Sequence, residues 1–153
     1  MKAKINTRLP ISAECVWKAL LKINTFLFIT KGMLGFYGSE HWPEFFQEGL
    51  ELETRLLFFH ILPGWKHSLR VVSINNDNLE LKSEESGGLV RKWNHEISVK
   101  KLSDNCCNYT DEIDIDAGFF TLLVWIYAQI FYRYRQERWR RLARSCAQDQ
   151  AHV

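Results

Sequence analysis

The feature that most constrains this chain is a change in hydrophobic period at Gly118. Before it, apolar residues recur at every second position over most of the chain. After it, they recur every three to four. Period two puts alternate side chains on opposite faces of a strand, and a period near 3.6 puts them on one stripe of a helix. Ala3, Ile5, Thr7 and Leu9 alternate with Lys2, Lys4, Asn6 and Arg8, so the chain opens on a half-buried strand. A second strand is expected from Leu50 to Ile61, with Pro63-Gly64 as its turn. Further strands are expected from His67 to Asn75, Leu79 to Glu84, Leu89 to Leu102 and Cys107 to Asp116. Asn76-Asp77, Gly87-Gly88 and Ser103 to Asn105 are the turns between them. Beyond Gly118, the residues Phe119, Leu122, Leu123, Ile126, Ile130, Tyr134 and Leu142 fit one stripe. They predict a helix of about 25 to 30 residues, roughly 40 Å long at 1.5 Å per residue, with that stripe against the sheet.

Between the first two strands the pattern is helical. Pro10 ends the opening strand, Ser12 is placed to N-cap a helix, and Glu14 sits in its first turn where the helix dipole favours an anion. Val16, Trp17, Leu20, Leu21 and Ile23 give that helix its apolar face. Asn24 and Thr25 are expected to cap a second short helix, Phe26 to Lys31, ended by Gly32. An irregular aromatic loop follows from Gly35. Segregated strands and helices mean α+β. The expected architecture is a curved antiparallel β-sheet wrapped around a long C-terminal α-helix, with two short helices after strand 1. With 153 residues, the chain is expected to form a single domain over 1–153. Hydrophobic residues at 46% and charged residues at 25% are ordinary for a globular protein and exclude a disordered or repeat class.

Three local sequences in this order resemble the START-like, or SRPBCC, superfamily, whose fold is the helix grip. The first is Ile11-Ser-Ala-Glu-Cys-Val-Trp17, a strand and proline followed by a helix carrying Val-Trp. The second is Gly87-Gly-Leu-Val-Arg-Lys-Trp-Asn-His95. The third is Tyr109-Thr-Asp-Glu-Ile-Asp-Ile-Asp116, just before the final helix. The resemblance covers the whole chain. It implies a hydrophobic cavity between sheet and helix, used to bind lipids, sterols, quinones or polyketides, or to cyclise or dehydrate polyketides. The chain has no Gly-rich phosphate loop, which argues against a nucleotide ligand.

Strand parity supplies the candidate chemistry. Leu89, Arg91, Trp93, His95, Ile97 and Val99 share one face of the long strand, and that face is the more apolar. Tyr109, Asp111, Ile113 and Ile115 share a face of the last strand. A hairpin turn near Ser103 puts His95 opposite or diagonal to Asp111, about 7–8 Å apart at Cα if diagonal. A His–Asp pair beside a cavity can act as base and orienter, or it can fix the polar end of a ligand. The alternative is a buried polar network that neutralises itself, since buried charges must be paired. The candidate catalytic residues are therefore His95 and Asp111. The candidate ligand contacts are Phe58, His60, Arg91, Trp93, His95, Asp111, Ile113, Leu123, Tyr127 and Ile130. Trp65, Trp125, Phe131 and Tyr134 are further aromatics able to line a pocket or fill the core. His60, His67 and His95 were weighed as a three-His metal site, but no accompanying motif supports it, and neither metal nor cofactor is expected.

The cysteines Cys15, Cys106, Cys107 and Cys146 follow no disulfide or zinc spacing. No signal-peptide pattern opens the chain, so a cytoplasmic protein is expected. The run from Ala117 to Tyr132 falls short of the ~20 apolar residues a bilayer span needs. Six Arg between Arg133 and Arg144 against Glu137 alone form a local basic patch, either a solvated helix end or a peripheral membrane contact. A net charge of +2 and the lack of a recognition motif argue against a nucleic-acid partner. The expected function is binding or transport of a hydrophobic small molecule in the cavity. The alternatives are a polyketide cyclase or dehydratase using His95 and Asp111, and a membrane-associated carrier or adaptor acting through the final helix. The sequence leaves open whether the chain is an enzyme, and it leaves open the oligomeric state.

Overall fold

The computed structural model describes residues 1–151, with side chains through residue 146. Positions 152–153 of the expected domain lie outside the described residues. The elements run β1 (Lys2–Leu9), α1 (Ala13–Leu20), α2 (Ile23–Thr30), β2 (Leu34–Phe36), β3 (Glu51–Phe58), β4 (Leu62–Asn75), β5 (Glu80–Gly87), β6 (Val90–Ser103), β7 (Cys106–Asp116) and α3 (Thr121–Ala151). Ser12 caps α1, its Oγ accepting from the Cys15 N–H at 3.2 Å. α1 stops at Leu20, because Ile23 opens α2. Lys22, rather than Asn24 or Thr25, is the N-cap residue of α2 and makes no side-chain cap. The Ile23 N–H is satisfied instead by the Glu44 carbonyl at 2.9 Å.

The strands form one antiparallel sheet in the order β1-β7-β6-β5-β4-β3-β2. β1 buries every second residue against the core. Register shifts interrupt β3/β4 after Arg55, β4/β5 after Val71, β5/β6 after Glu85 and β6/β7 after Lys101. Bulges bend strands and tighten their twist, and four of them curl the sheet about α3. The α+β helix-grip architecture expected from the sequence is therefore what the chain adopts. β2, in the stretch expected to be irregular, adds an edge strand.

Two expectations were wrong in detail. The β3–β4 turn lies at Phe59–Ile61, not at Pro63-Gly64, and Phe59 and His60 adopt φ of +52° and +60°. Pro63 sits where β4 pairs only with β3, so its missing N–H leaves no ladder bond unmade. Gly64 is required by packing, since a Cβ there would lie 2.9 Å from the Phe58 ring. The second error concerns α3. The stripe Phe119, Leu122, Leu123, Ile126 and Ile130 faces outward and is exposed. The face against the sheet carries Ala128, Phe131, Tyr132, Arg135, Gln136, Trp139 and Ala143, all buried. Pairing a buried charge with the sheet's own carboxylates outweighed the apolar count along the helix.

Candidate functional site

A bulge in β6 decides which of its side chains face inward. Gly87 pairs with Val90 and Glu85 with Trp93, so two residues, Arg91 and Lys92, are passed over on the outer side. From Trp93 the alternation is regular. Register then lines up transverse rows on the inner face. One row is Leu69, Glu85, Trp93 and Ile115, and the next is Val71, Ser83, His95 and Ile113. Asp111, opposite Ile97, lies diagonal to His95.

Between these rows and α3 lies a cavity of about 250 Å³. Phe58, Trp65, Leu56, Val90, Trp93 and Phe36 form its sheet side, and Leu123, Val124, Tyr127, Phe131 and Tyr132 its helix side. His67, Glu85 and Arg135 supply its polar end. His67 Nε2 lies 2.9 Å from Glu85 Oε2, and Ser83 Oγ donates to Glu85 at 3.4 Å. Burial pushes the Glu85 carboxyl up, but the His67 bond and the charges of His67, His95 and Arg135 outweigh it and leave its pKa lowered. Burial also pushes the Tyr127 phenol up to about 12. Its hydroxyl is buried without a hydrogen-bond partner among the described residues.

A second, smaller void of about 30 Å³ shares Phe26, Glu85 and Arg135 with the first as walls and is closed by His95, Tyr109 and Trp139. Here Asp111 is fully buried. Its Oδ1 lies 2.9 Å from His95 Nε2 and accepts from the Tyr109 hydroxyl at 3.1 Å. Its Oδ2 accepts from Gln136 Nε2 at 3.2 Å, and the same amide donates to the Ile5 carbonyl at 2.8 Å. The Arg135 guanidinium lies 3.8 Å from Asp111 and 4.9 Å over the Tyr132 ring. Burial would raise the Asp111 carboxyl, yet Arg135, His95 and Gln136 together hold it low. Burial, with the Asp111 charge adding to it, drives the Tyr109 phenol well up. Arg135 Nε has no partner among the described residues.

The candidates of the sequence therefore separate. Phe58, Trp93, Leu123 and Tyr127 line the larger cavity, and so do Trp65 and Phe131. His95 faces the smaller void, and Asp111 is hydrogen-bonded behind it. Ile113 is buried in the core beside α3 and lines neither space. Three candidates are elsewhere. Arg91 is exposed, its guanidinium against Gly118. His60 is exposed on the hairpin tip, where its Nε2 accepts from the Gly32 N–H at 3.2 Å. Ile130 is on the outward stripe. Trp125 donates to the Lys2 carbonyl at 2.8 Å, and Tyr134 donates to the Lys31 carbonyl. The three histidines do not converge, and no group of His, Cys, Asp or Glu among the described residues is placed to hold a metal. Glu85 and Arg135 were not among the sequence candidates for the cavity, and His67 was considered only as a metal ligand. The β5 strand was expected to end one residue before Glu85, and Arg135 lay within a run read as a basic patch.

No protein-family model matches the sequence, and no curated protein matches it. Solved structures do match in shape. A START superfamily protein from Mycobacterium smegmatis superposes with a TM-score of 0.69 over 95% of this chain and 98% of its own, at 9% identity. The chain has the START-like helix-grip fold. An aromatase/cyclase from Streptomyces superposes with a TM-score of 0.66 at 10% identity, covering 94% of this chain and 93% of that one. Norcoclaurine synthase from Thalictrum flavum, in complex with dopamine and hydroxybenzaldehyde, gives 0.65 at 13% identity, covering 95% and 87%. At such identities the likeness is one of fold, and residue roles in the helix grip must come from this chain's own geometry.

Proposed function

We propose that this protein binds a hydrophobic small molecule of one or two rings in the cavity beneath α3. The observation that carries the reading is the cavity itself, an apolar space of about 250 Å³ with its polar groups gathered at one end. Ligand pockets combine apolar walls with a few placed polar groups in this way. At ~30 Å³ per water-sized volume the space holds about eight such volumes, too few for an extended polyketide chain. Burial of the ligand at about 25 cal/mol per Å² supplies most of the affinity. Arg135 and the unpartnered Tyr127 hydroxyl set its orientation by donating to an acceptor.

A catalytic reading is the second proposal, and the geometry shifts its residues. The sequence pointed to His95 and Asp111 as acid and base. Asp111 already accepts from Tyr109 and Gln136 and contacts His95, which suits a structural network. His67 and Glu85 lie on the wall of the larger cavity at base–orienter distance, so a proton transfer in that cavity would fall to His67.

Native mass spectrometry of the freshly purified chain, followed by denaturation and identification of released molecules, tests both. A released aromatic or lipidic compound supports binding. A substrate and product pair differing by one water supports the dehydratase form. Filling the cavity with Val124→Trp should abolish the bound species. An unchanged adduct in that variant would sink the placement of the ligand.

A further inference from the structure

Three segments converge on the mouth of the cavity: the β3–β4 hairpin, the β5–β6 turn and the start of α3. Their convergence is direct. Phe58 and Tyr127 rings lie 6.3 Å apart, Gly88 packs on the Trp65 ring, and the Arg91 guanidinium packs on Gly118. These segments expose side chains that a globular protein ordinarily buries. Phe119 is 97% exposed and Ile61 79%. Phe59, Leu62, Leu122 and Ile126 stand exposed beside them. Along α3 the exposed Leu122, Leu123, Ile126 and Ile130 form one stripe at helical spacing, with Phe119 exposed in the short turn before it, so the helix turns an apolar stripe outward. The hairpin tip holds two non-glycine residues, Phe59 and His60, at positive φ. Strained backbone under an exposed apolar tip points to a use for that tip.

Charge is sorted as sharply as hydropathy. None of the chain's 18 Asp and Glu residues falls within 58–67, 86–93 or 117–136. Lys66, Arg91 and Arg133 in these segments are all exposed. Of the neighbouring carboxylates, Glu85 is turned into the cavity on His67, and Asp116 stands exposed at the margin, where it accepts the Gly118 N–H. An apolar surface whose three segments carry exposed Lys66, Arg91 and Arg133 and no Asp or Glu matches an anionic lipid interface. It matches a second copy of itself less well, because a two-fold pairing would bring those cations together with only the marginal Asp116 to offset them. No described helix is long and apolar enough to cross a membrane.

We infer that the cavity mouth is a membrane-docking face. The hairpin tip and the outward stripe of α3 enter the headgroup layer of an anionic bilayer, and the cavity then opens toward the lipid phase. Leu123, which both lines the cavity and is 65% exposed, stands on that threshold. The docking face rests on the surface alone. Only its consequence, that the ligand travels between membrane and cavity, rests on the binding reading above.

The test is flotation of the purified full chain with vesicles. One set is phosphatidylcholine alone, and the other contains about a third phosphatidylserine. The chain should float with the anionic vesicles and be released as salt rises. Ile61→Asp and Leu122→Asp should each weaken flotation about tenfold, with far-UV and near-UV circular dichroism unchanged because both side chains are solvent-exposed. Charge reversal by Lys66→Glu with Arg133→Glu should remove the preference for anionic vesicles. Failure to float with either vesicle, equal flotation of the Asp variants, or a dimer in solution that Leu122→Asp dissociates would overturn the inference. A chain that floats but carries no ligand would leave docking intact and count against the binding reading.

Discussion

Replacing Asp111 with alanine separates a structural network from a catalytic pair. Asp111 is fully buried and accepts from Tyr109 and Gln136, with His95 at 2.9 Å and Arg135 at 3.8 Å. Asp111→Ala leaves the Arg135 cation buried without its counter-charge. Breaking a buried pair from one side costs about 3–5 kcal/mol. For a chain of this size each kcal/mol moves the melting point about 2–4 °C, so a loss of roughly 6–20 °C is expected. Asp111→Leu combined with Arg135→Met removes both charges and fills the space with apolar side chains. Such replacements are often neutral, so the double variant should be more stable than the sum of the two single losses by about 2 kcal/mol. Urea unfolding followed by the fluorescence of the six tryptophans measures Asp111→Ala and the four corners of the cycle, which are the unsubstituted chain, Asp111→Leu, Arg135→Met and the double variant. If Asp111 were held for catalysis at a cost to stability, its removal would be neutral or stabilising. A loss below about 1 kcal/mol for Asp111→Ala, or strict additivity in the cycle, would refute the structural reading.

The same interior makes further predictions. Glu85 and Asp111 both titrate lower in the folded chain than in the unfolded one, so the unfolded chain takes up protons first as pH falls. Their stabilisation is complete above about pH 4.5 and is lost as pH falls through the folded values, so the urea midpoint should be flat from neutral pH to pH 5 and fall steeply below pH 4; a flat midpoint at pH 3 would contradict it. Tyr127→Phe removes a buried hydroxyl that has no partner, so the ligand-free protein should gain about 1 kcal/mol, read as a rise of about 2–4 °C in the melting point. Cys107 is fully buried, and burial, with Cys106 and Glu14 adding to it, pushes its thiol up to about 11. It should therefore react with a disulfide reagent at pH 8 only after unfolding, and a native-state modification mapped to Cys107 would count against the packing described.

The fold was legible because its signals are local and redundant. Alternation in β1 and β7 requires one buried face whatever the neighbours are, and Ser12 caps α1 from within one turn. Where a single signal had to decide, it was overruled. Pro63-Gly64 reads as a turn, yet four residues earlier Phe59 and His60 take the left-handed conformations. There the Phe59 N–H reaches the Met33 carbonyl at 3.0 Å and His60 holds the Gly32 N–H. Those partners come from the turn between α2 and β2, and no local reading of the hairpin contains them. Arg91 was misplaced for a similar reason. Its parity is correct for an unbroken strand, but a β6 bulge, in which Arg91 and Lys92 oppose Ser86 of β5 alone, moves it outward, and that register shows only when the two strands are paired.

The inward face of α3 was obscured for a different reason, and the sequence held the means to find it. Hydropathy alone turns the stripe from Phe119 to Ile130 toward the sheet. The parity of β7, however, puts Asp111 inside, and a buried carboxylate requires a cation. On a helix packed against that strand the cation fixes the rotation. Arg135 inward brings Phe131 and Trp139, at i−4 and i+4, inward with it, and Ala128 at i−7. These are the residues found buried. The requirement of one carboxylate therefore outweighs five apolar residues in setting the helix. The apolar stripe is consequently left facing outward at the cavity mouth, where only a contact outside the chain can cover it.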